Sequence, residues 1–396
     1  MGRGVALLGI VLVAFTLRQA VAAVSPILGD IRADIPISSI DVGLLGLLPP
    51  ILFAGSGFVA PRVARVIGLN GGLVFALILM TACHIARATA PGFGQLVTGS
   101  VVAFAGTGLG NVLLPSVVRR FFPTRVAMLT AVYTCVVGVS TAVPAAFAAP
   151  IAEHLGWRFS LAIWSATSIA ALLPWLVILI GERNRQLASS DGIESQRSPT
   201  LRRLWRSRVA VSITVIFSVS TICTYAAFAW LPEILADIAG STPTEAGVLL
   251  AITGIVSVPG ALVVPFAVSR LRTVSWLVVA GAASFSLGYF GLLLSPATLT
   301  ILWVLLIGSG SILFPVSLVL INIRTRTAPG TIALSSFAQS IAYGIGALGP
   351  LLVGLLHDSS GGWTVPLIFL LAISLVAVVP AIALAKPVYV EDELNS

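Results

Sequence analysis

Residues 15–31 read FTLRQAVAAVSPILGDI, and residues 225–238 read YAAFAWLPEILADI. Both are apolar runs that close on one signature: Ile-Leu, a small residue, then Asp-Ile, at Ile27–Ile31 and again at Ile234–Ile238. Their aspartates, Asp30 and Asp237, stand 207 residues apart in a 396-residue chain. A motif that returns after half the length raises the question of whether its surroundings return with it.

They do. Gly43 and Pro61 bracket one apolar run as Gly247 and Pro265 bracket another. Gly106-Thr-Gly108 with Pro115 is answered by Gly308-Ser-Gly310 with Pro315, and Trp157 and Trp363 each open a run. The pairs keep their order and are 200–207 residues apart. Apolar runs fall near 5–29, 40–60, 71–89, 93–117, 126–150 and 159–181, then near 207–232, 245–268, 273–294, 297–321, 331–356 and 362–385. Each is about the 20 residues a helix needs to cross a hydrocarbon core of ~30 Å. Strict alternation of apolar and polar residues is lacking, which argues against a membrane β-barrel.

Composition agrees. With 58% hydrophobic and 9% charged residues and a mean hydropathy of +1.07, too few polar side chains exist to cover a water-soluble globule. The expected fold is an all-α integral membrane protein of twelve transmembrane helices in two pseudo-symmetric six-helix bundles. The expected divisions are an N-terminal bundle over 1–181, a polar linker over 182–206, and a C-terminal bundle over 207–396 ending in a short tail. The MGRG start and the AVAAVS segment could suggest a cleaved leader, but the apolar run is too long for one, and it completes the repeat.

The net charge of +8 would suggest nucleic acid in a soluble protein; here its placement explains it. With the amino terminus and even-numbered loops on one side, that side collects eighteen basic residues, from Arg3 to Lys386, against Arg32, Arg87 and Arg158 on the other. This asymmetry predicts a multi-pass protein of the cytoplasmic membrane with both termini cytoplasmic. The expected partners are a small-molecule solute and the lipid bilayer, with no nucleic acid, and the expected state is a monomer. Cys83, Cys135 and Cys223 lie inside spans and read as small apolar residues; His84, His154 and His357 have no ligand spacing. No metal or cofactor is expected, nor catalysis: no phosphate-binding glycine loop, HExxH or nucleophile elbow occurs. Without a nucleotide site, secondary transport or facilitated diffusion remains.

Arg18 is the leading site residue. It falls about 20 Å into the first span, where an arginine costs ~2.5–3.5 kcal/mol on insertion scales. No Asp or Glu lies at that depth elsewhere, so the guanidinium suits an anionic or dipolar solute that accepts two parallel hydrogen bonds. Ala14, Ala22, Ser25 and Gly29 read as a small-residue face beside it. Ser335, Ser336, Gln339, Tyr343 and Gly346 share one face of the eleventh span, and Ser218, Thr221 and Tyr225 one face of the seventh; Asn111 and Tyr133 are isolated polar groups. Arg18, Asn111, Tyr133, Tyr225, Gln339 and Tyr343 form the expected substrate-binding set. Helix–helix hydrogen bonding, worth ~0.6–2 kcal/mol each, is the alternative for the uncharged members. His84 and Arg87, one turn apart at the end of the third span, read as interface anchors.

GNVLLPSVVRRFFPTRVAMLTAVYT at 110–134, AWLPEILADIAGSTPTEAGVLL at 229–250, AQSIAYGIGALGPLLVGLLHDSSGGW at 338–363 and LRQAVAAVSPIL at 17–28 resemble major facilitator transporters of the cyanate permease and nitroimidazole transporter family. The resemblance spans both halves. It implies a two-bundle fold, alternating access around a midplane site, and small solutes, often anionic or nitrogen-rich; the family's first-span arginine falls on Arg18. Three departures stand out. Gln19 occupies a place often held by proline, GFVAPRVAR has Pro61 and Ala64 where the superfamily loop has aspartate and glycine, and Pro144 lacks the glycines of the drug–proton antiporter signature. The competing readings are a multidrug-type exporter of small aromatic or heterocyclic compounds, which would want a cavity carboxylate, and a non-transporting sensor, which would want an appended soluble domain.

Overall fold

A computed structural model describes residues 2–122, 124–183, 201–270, 274–326 and 328–395. Most of the expected 182–206 linker, at 184–200, lies outside the described residues, as does Arg272 of the positive-side count.

Twelve helical spans among the described residues are long and apolar enough to cross a membrane. In chain order they are α1 (Arg3–Asp34), α2 (Ser39–Ala60), α3 (Arg62–Ala88), α4 (Phe93–Val118), α5 (Val132–Leu155), α6 (Trp157–Gly181), α7 (Arg208–Ala239), α8 (Pro243–Gly260), α9 (Ser275–Leu294), α10 (Thr300–Ile323), α11 (Ala333–Ser360) and α12 (Thr364–Ala383). A backbone in hydrocarbon must satisfy its own hydrogen bonds, which is why runs rich in Leu, Val and Ala become helices here. Embedded hydroxyls follow the same rule by bonding back one turn: Ser56 to the Leu52 carbonyl at 2.6 Å and Ser100 to that of Leu96 at 2.7 Å.

Helix runs from Ser39 to Ala88 and departs from helical geometry at Gly68 (φ 77°, ψ 166°), which only glycine adopts without strain, and this break falls between the expected second and third spans. The first span differs from expectation. It reaches Asp34 and is not one helix: α-helix over Gly2–Thr16, a turn at Leu17–Arg18, four helical residues Gln19–Ala22, a 3-10 turn Ser25–Ile27, and helix again over Leu28–Asp34. Pro26 explains the later break, since it has no N–H to offer the preceding turn.

The described residues group into two compact units. One takes in 2–38, 51–183 and 243–251; the other takes in 39–50 and the described residues of 201–242 and 252–395. The first has a core of Ile10, Leu17, Leu73, Met80, Leu113 and Trp175. In the second, the Trp230 indole donates to the Pro350 carbonyl at 2.8 Å, and Ser286 and Ser374 share a bond of 2.7 Å.

The internal repeat reappears as repeated contacts, each inside its own unit. The Trp157 indole, opening α6, donates to Asp34 at the end of α1 (2.9 Å); the Trp363 indole, at the start of α12, donates to Asp237 near the end of α7 (2.8 Å). Gly43 of α2 approaches the Pro350–Leu351 backbone of α11, where a Cβ would meet Leu351 Cα at 3.0 Å. Its counterpart Gly247 of α8 approaches α5, where a Cβ would meet the Ala145 carbonyl oxygen at 2.4 Å.

The chain's last turn is tied down. A short helix, α13 (Val390–Asn395), follows α12, and its Glu393 carboxylate accepts from Ser207 Oγ (2.6 Å) and Val209 N (3.1 Å) at the start of α7. Arg326 pairs with Asp392 (2.8 Å), its amide donates to Glu391 (2.9 Å), and Arg203 donates to the Leu394 carbonyl (3.1 Å).

Candidate functional site

Arg18 sits in the break of α1, as the sixteenth of that span's 32 residues. Its backbone (φ −119°, ψ −9°) belongs neither to the helix before it nor to the one it precedes, and its carbonyl accepts from Val21 N (3.1 Å) and Ala22 N (3.0 Å). The guanidinium lies over the Phe53 ring of α2, 5.4 Å from its centroid; Nη1 is buried without a hydrogen-bond partner. A planar cation resting on one ring face, with a donor unspent, can take a further acceptor.

The small-residue face expected around Arg18 does not survive the break. Ala14 and Ala22 are fully buried and Ser25 nearly so, because spacing of four residues holds only within an uninterrupted helix. Asn111 follows Gly110 on α4, where a Cβ would lie 2.8 Å from the Leu17 side chain of α1. Tyr133, half-buried on α5, leans on the first unit's apolar core. Three expected contacts therefore belong to the first unit.

The other three belong to the second. Gln339 Nε2 donates to Ser335 one turn earlier at 2.6 Å, so this stripe of α11 is bonded along itself. The half-buried Tyr343 ring lies 5.6 Å from Phe217 of α7. Tyr225 is buried, with Phe228 edge-on at 6.2 Å. Thr221 and Gly346 serve helix packing: Thr221 Oγ1 donates to the Ala342 carbonyl (2.8 Å), and a Cβ on Gly346 would lie 2.5 Å from Thr221. Ser218 bonds back to Thr214 at 2.8 Å.

Two residues read as interface anchors prove to be interior. His84 is 1% exposed and Arg87 2%. Arg87 Nη1 donates to the Ala20 carbonyl of α1 at 2.9 Å, its Cζ lies 5.9 Å from the Phe104 centroid, and Gly99 of α4 gives its stem room. Position at the end of a span does not distinguish a lipid-facing arginine from an inward one; an unspent carbonyl on a neighbouring helix does. The sequence carries no signal for the Ala20 carbonyl, since Pro26 withholds its N–H from the carbonyl four residues back, that of Ala22.

A profile of the Major Facilitator Superfamily matches residues 10–347. The chain is 32% identical over 375 residues to the 2-nitroimidazole transporter of Escherichia coli (strain K12), covering 94% of this chain and 93% of that one. It is 24% identical over 359 residues to the cyanate transport protein CynX of the same organism, covering 90% and 91%. Among solved structures, the D-xylose-proton symporter superposes with a TM-score of 0.78 at 14% identity, over 98% of either chain.

Proposed function

The chain belongs to the Major Facilitator Superfamily, and from that premise we propose that its solute is a small anion or a polar nitrogen-containing compound, with Arg18 as the charged contact. The protein is a multi-pass membrane transporter of small solutes, not an enzyme. The observation that carries the choice of solute is the state of Arg18: a cation at the middle of a span, over an aromatic ring, with a buried donor unspent. Placing it there costs ~2.5–3.5 kcal/mol, and intramembrane arginines that are kept at such depth mark substrate or ion paths. The names of the two relatives support the reading, since cyanate is a small anion and nitroimidazole a small nitrogen heterocycle.

Asn111 and Tyr133 from the first unit, and Tyr225, Gln339 and Tyr343 from the second, are proposed as neutral contacts that orient the solute. The halves 1–181 and 207–396, joined by a 182–206 linker, would alternate access in a monomer of the cytoplasmic membrane with both termini inside. Uptake of labelled cyanate and 2-nitroimidazole into proteoliposomes tests the central claim. Arg18→Ala and Arg18→Lys should insert and unfold normally yet lose at least about tenfold in uptake, the equivalent of one charge-assisted hydrogen bond of ~1.5–3 kcal/mol. Full uptake by both variants overturns it.

A further inference from the structure

Arg18 is a useful contact only if something holds a broken helix in place around it. A four-residue helical segment has too few internal bonds to persist alone. Its orientation must come from neighbours, and the structure shows two grips on it from different spans.

The first is Arg87. Its Nη1 reaches from α3 to the Ala20 carbonyl, in the middle of the segment Gln19–Ala22. The regular pattern closes with Ala23 N to the Gln19 carbonyl (3.1 Å) and resumes with Ile27 N to that of Val24 (3.1 Å). The side chain's path is built for it: Gly99 stands where a Cβ would come within 3.0 Å of Arg87 Cγ, and the Phe104 ring flanks the guanidinium. The second grip is Gln19, fully buried, whose amide meets Thr167 Oγ1 of α6 at 2.6 Å. Thr167 also lies 2.7 Å from the Trp164 carbonyl, and one hydroxyl proton cannot serve both acceptors. Turning the Gln19 amide so that Nε2 donates to Thr167, which then donates to Trp164, satisfies both and employs an otherwise orphaned Nε2.

We propose that Arg87 and the Gln19–Thr167 pair are positioning residues that clamp the interrupted first span and thereby aim the Arg18 guanidinium. Arg87 acts through the Ala20 carbonyl two residues beyond Arg18, and Gln19 through the adjoining peptide. This rests on the reading of Arg18 as the solute contact, but its geometry can be tested without any solute. Of the alternatives, a structural cation that merely cancels an unpaired carbonyl would stabilise the fold without controlling residue 18.

The test replaces Cys83, Cys135 and Cys223 by alanine, introduces Arg18→Cys, and measures in proteoliposomes the rate at which that thiol forms a mixed disulfide with a small charged methanethiosulfonate, methanesulfinate leaving. Adding Arg87→Met should change the rate at least about fivefold, and Thr167→Val should do likewise. Arg87→Lys, which keeps a donor for Ala20, should restore it to within about twofold. Unchanged rates in correctly folded Arg87→Met or Thr167→Val protein overturn the clamp, as does a position 18 that never reacts in the parent. Where Arg87→Met fails to fold, Thr167→Val and Arg87→Lys decide. Undiminished cyanate uptake by Arg18→Ala would instead defeat the solute reading while leaving the labelling result to stand on its own.

Discussion

A methyl group at Gly9 would sit 2.9 Å from Cε2 and Nε1 of Trp175, a fully buried ring on α6 whose indole nitrogen has no hydrogen-bond partner. Overpacking of this kind costs ~1–3 kcal/mol. Gly9→Ala should therefore lower the thermal midpoint in detergent, and in a Trp175→Phe background, where the clashing atoms are gone, most of that loss should vanish. Simple additivity of the two substitutions would show that the contact is not what limits the site. The same scale separates Arg18 from Arg87. Arg18 is conspicuous in the sequence because it interrupts apolar residues on both sides. Arg87 lies at a span end, where sequence alone cannot say which way the helix is turned, and its role depends on a carbonyl freed in a different span. Apolar context announces a charge but not the neighbour that receives it.

Among the elements, the spans could be read from length and hydropathy, whereas the interruption of α1 could not, apart from Pro26. Leu17, Arg18 and Gln19 are all good helix formers, and the break there is imposed by tertiary contacts that outweigh a weak propensity. The tail helix escaped notice for the opposite reason: its six residues, four polar and two apolar, are too few to carry a periodic signal. Its contacts nonetheless rank by exposure. The Arg326–Asp392 pair is about half exposed and should be worth ~0–1 kcal/mol. Glu393 is partly buried and caps the first turn of α7, where loss of a cap costs ~0.5–2 kcal/mol. Glu393→Ala should thus depress the thermal midpoint more than Asp392→Ala; the reverse order would show that the tail acts through surface charge.

For the whole molecule, the twofold repeat was visible in paired landmarks, and structural contacts reproduce it with one shift. The sequence pairs Asp30 with Asp237, yet Trp157 bonds to Asp34, one turn farther on, and Arg158 joins the same carboxylate. The two halves are therefore matched in packing but unequal in charge. Asp34→Asn removes an ionic partner from the half-exposed Arg158, whereas Asp237→Asn keeps an acceptor for its indole. The difference between their thermal midpoints should shrink as salt rises from 0.05 to about 0.5 M, since exposed pairs are screened; a gap indifferent to salt would mean that packing sets it. The tail has a consequence in time as well. The carboxylate that caps α7 at Ser207 is synthesised 186 residues after it. At ~5–20 residues per second, α7 waits about 10–40 s for its cap. The first turn of α7 is thus laid down long before the carboxylate that closes it exists.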